Sequence, residues 1–169
     1  MANALQKRTP AKKKAPSAQP SMKWYDFLKD LGLYLYAIFV ALMGYFTVVG
    51  LFLPEGIEKL RKYSVEYLMV VDIACCVLML GMAAYAIVIR MAFNKYKAKA
   101  PLMLMILQIV DIVINVVQMV VYQQVDPKVL EELGTNYNIV TSIVLVIGGI
   151  ALIFVNQVYF NKRKAMFQN

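Results

Sequence analysis

Residues 101–122 read PLMLMILQIVDIVINVVQMVVY, a run in which Gln108, Asp111, Asn115 and Gln118 stand among aliphatic side chains. About 20 apolar residues carry a helix across the hydrocarbon core of a bilayer. A helix also satisfies its own backbone hydrogen bonds where no water can. The four polar residues and Tyr122 recur at intervals of three and four. At about 100° per residue they share a stripe roughly 80° wide on one helix face. The run is therefore read as a transmembrane helix that turns one polar face towards something other than lipid.

Three further runs of the same kind lie at residues 31–53, 67–89 and 139–160. The four runs contain just two charged residues, Asp72 and Asp111. With 61% hydrophobic and 17% charged residues, the chain is too apolar for an ordinary soluble domain of 169 residues. The segments between and outside the runs are too short to hold a second core. The expected fold is all-α: a polytopic four-helix transmembrane bundle spanning residues 23–161. Short connections make it up-down-up-down.

Lysine and arginine are divided unequally about these runs. Lys7, Arg8, Lys12, Lys13, Lys14, Lys23, Lys29, Arg90, Lys95, Lys97, Lys99, Lys162, Arg163 and Lys164 fall on one side, and Lys59, Arg61, Lys62 and Lys128 on the other. Basic short loops stay cytoplasmic, which puts both termini in the cytoplasm and the chain in the plasma membrane. Residues 1–22 and 162–169 are then basic cytoplasmic tails, the first disordered because it carries too little apolar surface to fold. The formal net charge of +8 points to anionic lipid headgroups at the cytoplasmic face. Nucleic acid is not an expected partner, because no aromatic residue interleaves with the basic run to stack on bases. A secretory signal is not expected either, since the first run exceeds the roughly 7–15 residues of a signal core.

Trp24, Tyr25 and Phe27 precede the first run as an interfacial anchor. Pro54 and Gly56 end it. Asp126, Pro127 and Gly134 are the cap, first-turn proline and terminating glycine of a short helix, whose Val129, Leu130 and Leu133 are expected to rest on the membrane surface.

Helix-packing faces are legible in the fourth run. Ser142, Gly149 and Asn156 stand at heptad spacing, with Asn138 on the same side and Gly148 next to Gly149; small and amide residues along a seam let helices approach and hydrogen-bond. Val146 is expected on the lipid side. Ala37, Ala41 and Gly44 form a weaker small-residue face in the first run. For Gln108, Asp111, Asn115, Gln118 and Asn156 two readings stand: interhelical hydrogen bonding in a bundle core, or a conduction or binding path.

Asp72 and Asp111 are the most costly residues, because no Lys, Arg or His lies in any run to pair with them. A carboxyl in hydrocarbon without a counter-charge is expected in its neutral, hydrogen-bond-donating form, and intramembrane acids are candidate functional groups. At about 1.5 Å per residue, Asp111 falls near mid-membrane, level with Gly148 and Gly149. Asp72 falls near the outer surface, level with Asn115 and Gln118.

Catalytic and metal chemistry find no support. With no histidine and two cysteines, a transition-metal site lacks ligands. Cys75 and Cys76 are adjacent and point apart, so they are expected as buried free thiols. Neither a phosphate loop nor a nucleophile–base spacing is present, so no enzyme activity, cofactor or metal is expected.

The segments Met22-Lys23-Trp24-Tyr25-Asp26-Phe27-Leu28 and Asn156-Gln157-Val158-Tyr159-Phe160-Asn161-Lys162-Arg163-Lys164-Ala165-Met166-Phe167 resemble the two ends of a group of small four-span membrane proteins of Firmicutes and related gut bacteria. The shared ending is Asn-x-x-Tyr-Phe-x-Lys-Arg followed by a closing Phe. Many members carry a Cys-x-x-Cys zinc ribbon before the spans, which a Lys/Pro-rich tail replaces here, so the resemblance implies no zinc. It implies the fold and no activity. The expected role is a structural or partner-binding membrane component, as a homo-oligomer or with another membrane protein. The alternative is a proton- or cation-linked transporter or channel subunit acting as an oligomer.

Overall fold

A computed structural model describes residues 21–133 and 139–167. The expectations for residues 1–20, Gly134, Asn138 and residues 168–169 lie outside the described residues. Among those described there is no strand. The helices are α1 (Lys23–Phe27), α2 (Leu33–Phe52), α3 (Pro54–Lys62), α4 (Tyr67–Asn94), α5 (Ala100–Tyr122), α6 (Pro127–Glu132) and α7 (Ile139–Asn161). Four stretches, Lys23–Thr47, Tyr67–Asn94, Ala100–Tyr122 and Ile139–Asn161, are long and apolar enough to cross a membrane.

The first of these begins eight residues before the apolar run. A π turn, Leu28–Gly32, joins α1 to α2 in one continuous helix. Its effect is visible in the buried positions, which run Tyr25, Leu28, Leu33, Ala37, Val40 and Gly44. Steps of three and four keep one face of an α-helix. The single step of five, from Leu28 to Leu33, coincides with the wider π turn, which keeps both halves of the buried face pointing the same way. Tyr25 is thus fully buried, rather than an interfacial anchor as its position before the apolar run suggested.

α2 packs on α4, α4 on α5 and α5 on α7. Small residues set the first interface. A Cβ at Gly44 would lie 3.5 Å from Cys76 Sγ, and the Cys76 thiol donates to the Gly44 carbonyl at 3.3 Å. Both cysteines are buried and free.

At one end of the bundle an aromatic cluster closes the core. Phe93 packs edge-on against Tyr25 at 5.5 Å and stacks with Phe160 at 5.5 Å, while Phe167 meets Phe160 at 5.5 Å and Tyr25 at 5.7 Å. Each such pair is worth about 0.5–1.5 kcal/mol beyond the area it buries. The Tyr25 hydroxyl donates to the Phe93 carbonyl at 2.7 Å, which also accepts from the Tyr96 amide at 2.9 Å in the turn that ends α4.

The opposite end is closed by the two short helices. Leu60 of α3, Leu68 of α4, Leu130 of α6 and Val125, just before α6, form a second buried cluster. Leu130 therefore packs against protein and does not rest on a membrane surface. α6 begins as its punctuation dictates, with Pro127 in the first turn and the Asp126 carboxylate accepting from the Lys128 amide at 2.8 Å. α3 was not expected: Pro54, read as the end of the first run, also opens this helix, and Gly56 lies inside it; its pattern places Leu60 inward among charged neighbours. Across this end Lys62 donates to the Tyr63 hydroxyl at 2.9 Å, and that hydroxyl donates to Glu132. The Tyr63 hydroxyl, and secondarily the Glu132 charge, hold the exposed Lys62 ammonium above the ordinary lysine pKa.

Candidate functional site

Three polar contacts between helices, each far apart in sequence, are the chemically distinctive features of the bundle. The first joins α4 to α5. Asp72 is buried, and both carboxylate oxygens accept from the Tyr122 hydroxyl at 2.8 Å. Asp72 is thus met by the last member of the α5 polar stripe rather than by Asn115 or Gln118. A phenol can satisfy a carboxyl in either protonation state, because the hydroxyl both donates and accepts.

The second contact joins α2 to α5. Asp111 is half-buried and accepts from the Tyr36 hydroxyl at 3.4 Å, a long bond by the usual geometry. Asn115, one turn on, donates its side-chain amide to the Asp111 backbone carbonyl at 2.8 Å and not to the carboxylate. Such back-bonding occupies a polar side chain within its own helix. Gln108, one turn earlier, has a buried Oε1 with no hydrogen-bond partner among the described residues. Gln118 is half-buried. Of the stripe's members, Asp111 is met by α2, Tyr122 by α4 and Asn115 by its own helix.

The third contact joins the two ends of the chain. Trp24 Nε1 donates to Asn156 Oδ1 at 2.8 Å, and Asn156 is fully buried with its Nδ2 unpaired among the described residues. The Tyr25 amide donates to the Tyr159 hydroxyl at 3.1 Å. Arg163 lies 3.6 Å over the Tyr159 ring; it donates to the Tyr159 carbonyl at 2.9 Å, and through Nη2 to the Ser21 carbonyl at 2.6 Å. Asn156, Tyr159 and Arg163 recur at three and four, so they share one side at the end of α7; Asn156 and Tyr159 meet α1, and Arg163, just past the helix, meets Ser21 before it.

The α7 seam needs one correction and one refinement. A Cβ on Gly149 would sit 2.9 Å from Ile112 Cγ1, whereas one on Gly148 meets nothing within 4 Å. Gly148 is exposed and is not a packing residue: one position along a helix turns the side chain by about 100°. Val146, expected on the lipid side, is half-buried on the same face as Ser142, Gly149 and Asn156. Ile112 follows Asp111, so the level assigned to Asp111 opposite the glycine pair agrees with this contact.

Tyr36 escaped the sequence reading and Trp24 was read as an interfacial anchor alone, since a Tyr or Trp in or beside an apolar run carries no sign of its hydrogen-bond partner. Arg90 escaped it too. Assigned to a loop, it lies in the last turns of α4, with its guanidinium 4.2 Å over the Tyr34 ring. Such a cation–π contact is worth about 0.5–2 kcal/mol. Among the described residues no three His, Cys, Asp or Glu side chains come together as a metal site. In comparisons with known proteins the chain matches no protein family, no curated protein and no solved structure.

Proposed function

We propose that the chain is a multi-pass protein of the plasma membrane, an up-down-up-down bundle with both termini cytoplasmic. Its role is to serve as a structural or partner-binding component, not as an enzyme. The observation that carries this reading is the inverted distribution of side chains on the long helices. Phe39, Phe46, Val70, Val144 and Phe154 are each more than 60% exposed, while Asp72 and Asn156 are among the buried residues and hydrogen-bonded. A continuous exposed apolar surface of this kind suits lipid rather than water. The contact pairs support alternating helix direction, because Tyr25 and Gly44 of the first helix meet Phe93 and Cys76 of α4. The charge asymmetry supports the orientation.

The structural role is supported by the use of each intramembrane acid. Asp72 and Asp111 both pair with a tyrosine of a neighbouring helix, which makes them interhelical ties. A transport reading draws on one observation, the unpaired buried Oε1 of Gln108 beside the half-buried Asp111.

Single cysteines at the exposed positions Ser64, Lys128 and Ser21, in a background lacking Cys75 and Cys76, test the orientation by labelling intact cells with an impermeant maleimide. Labelling at positions 64 and 128 and protection at 21 is the expected outcome. The reverse pattern overturns the orientation, and extraction of the chain by alkaline carbonate overturns the membrane reading itself.

A further inference from the structure

A groove of about 200 Å³ lies between the start of α5 and the end of α7. Its apolar wall is Leu102, Met105 and Phe160, and its polar rim is Gln157, Asn161 and Lys164. Leu102 is 54% exposed, so the wall continues onto the open apolar surface of α5. No acidic residue lines the groove. Ala98, also in the lining, stands between Lys97 and Lys99, both exposed. The positive end of the α5 dipole faces the same place. One lysine and two carboxamides in the lining, with Lys97 and Lys99 flanking Ala98 and the start of α5 beside it, stand on an apolar slot between two long helices and match a phosphate ester that carries acyl chains. A soluble anion would leave the apolar wall unused, and an apolar helix from a partner would leave the cations unpaired.

We propose that this groove holds one anionic phospholipid, its phosphate against Lys164 and Asn161 and an acyl chain along Leu102 and Met105. The proposal rests on the membrane reading above, and on the orientation that puts this end at the leaflet where anionic headgroups concentrate. It goes beyond general attraction of basic tails to the surface, because it requires one lipid at one place. Binding there ties the α4–α5 loop to the C-terminal end of α7.

The test uses the full chain purified in a non-ionic detergent and titrated with dioleoylphosphatidylglycerol, dioleoylphosphatidylcholine or soluble glycerol phosphate. The readouts are melting temperature and native mass spectrometry. Phosphatidylglycerol should raise the melting temperature saturably and appear as a single retained adduct, while the other two do neither. Lys164→Gln should weaken that adduct about fivefold, the contribution of one basic residue at a lipid headgroup, and Lys59→Gln at the other end of the bundle should not change it. Equal effects of the two lipids, an unsaturable response that follows total charge, or indifference to Lys164→Gln would each overturn the site. So would a lipid-free dimer that Lys164→Gln dissociates, since a second copy would then be the occupant. Selective binding together with inverted cysteine labelling supports the site and overturns only the orientation; correct labelling without selectivity does the reverse.

Discussion

Trp24 donates its indole N–H to the side-chain oxygen of Asn156, 132 positions later in the chain. Around that bond residues 22–28 lie against residues 156–167. Their pairing accounts for the spacing within each. Trp24 and Tyr25 reach Asn156 and Tyr159, while Phe160 and Phe167 complete the ring cluster around Phe93.

A double-mutant cycle on this pair should show coupling. Asn156→Leu leaves the indole N–H without its acceptor, and Trp24→Phe leaves the Asn156 oxygen without its donor, each at about 1–3 kcal/mol. The double variant should cost less than the sum of the singles by about 1 kcal/mol. Unfolding in detergent measures all four species. Strict additivity would mean that the bond contributes nothing to stability.

At Asp111 the shape of the replacement decides the outcome. Asp111→Asn keeps an acceptor for the Tyr36 hydroxyl and should melt within about 0.5 kcal/mol of the parent, whereas Asp111→Leu strands that hydroxyl at about 1–3 kcal/mol. Tyr36→Phe combined with Asp111→Leu should recover much of the loss. If Asp111→Asn is as destabilised as Asp111→Leu, the Tyr36 contact is not what holds the carboxyl in place.

The neighbouring glycines of α7 should respond oppositely. Gly149→Leu drives side-chain atoms into Ile112 and should cost about 1–3 kcal/mol by overpacking. Gly148→Leu points into open space and should be neutral or gain about 0.5 kcal/mol from helix propensity. Similar melting temperatures for the two variants would show that α5 and α7 do not approach at Gly149.

Tyr122→Phe tests the Asp72 tie. It removes the donor to a buried carboxylate at almost constant volume, so destabilisation of about 1–3 kcal/mol is expected. Asp72→Leu in the Tyr122→Phe background should restore part of it, because both polar partners are then absent. A Tyr122→Phe variant as stable as the parent would mean that another group satisfies Asp72.

The elements most legible beforehand were those governed by local rules. The polar stripe of α5 follows from spacing alone, and heptad spacing already placed Ser142, Gly149 and Asn156 on one side of α7. Gly148 was included with its neighbour, although one residue of helix rotation separates packed from exposed. α3 was missed because it is short and its few apolar residues are set among charges; no apolar run marks it, although its residues have a clear helical period. The start of the first helix was missed because charged residues precede the apolar run. The helix extends through them because Tyr25 and Leu28 are buried against the rest of the bundle.

From the sequence alone came the number of the long helices, the apolar run within each, their polar faces and the bias of charge between the two sides. These depend on residues within one helix or one loop, where period and hydropathy act locally. The identity of each polar partner came only with the tertiary structure: Tyr122 for Asp72, Tyr36 for Asp111, Trp24 for Asn156. So did the π turn that keeps Tyr25 and Leu33 on one face. A helical period states which way a side chain points on its own helix. Which atom it meets depends on the rotation and offset of the neighbouring helices, and packing across the whole bundle sets both together.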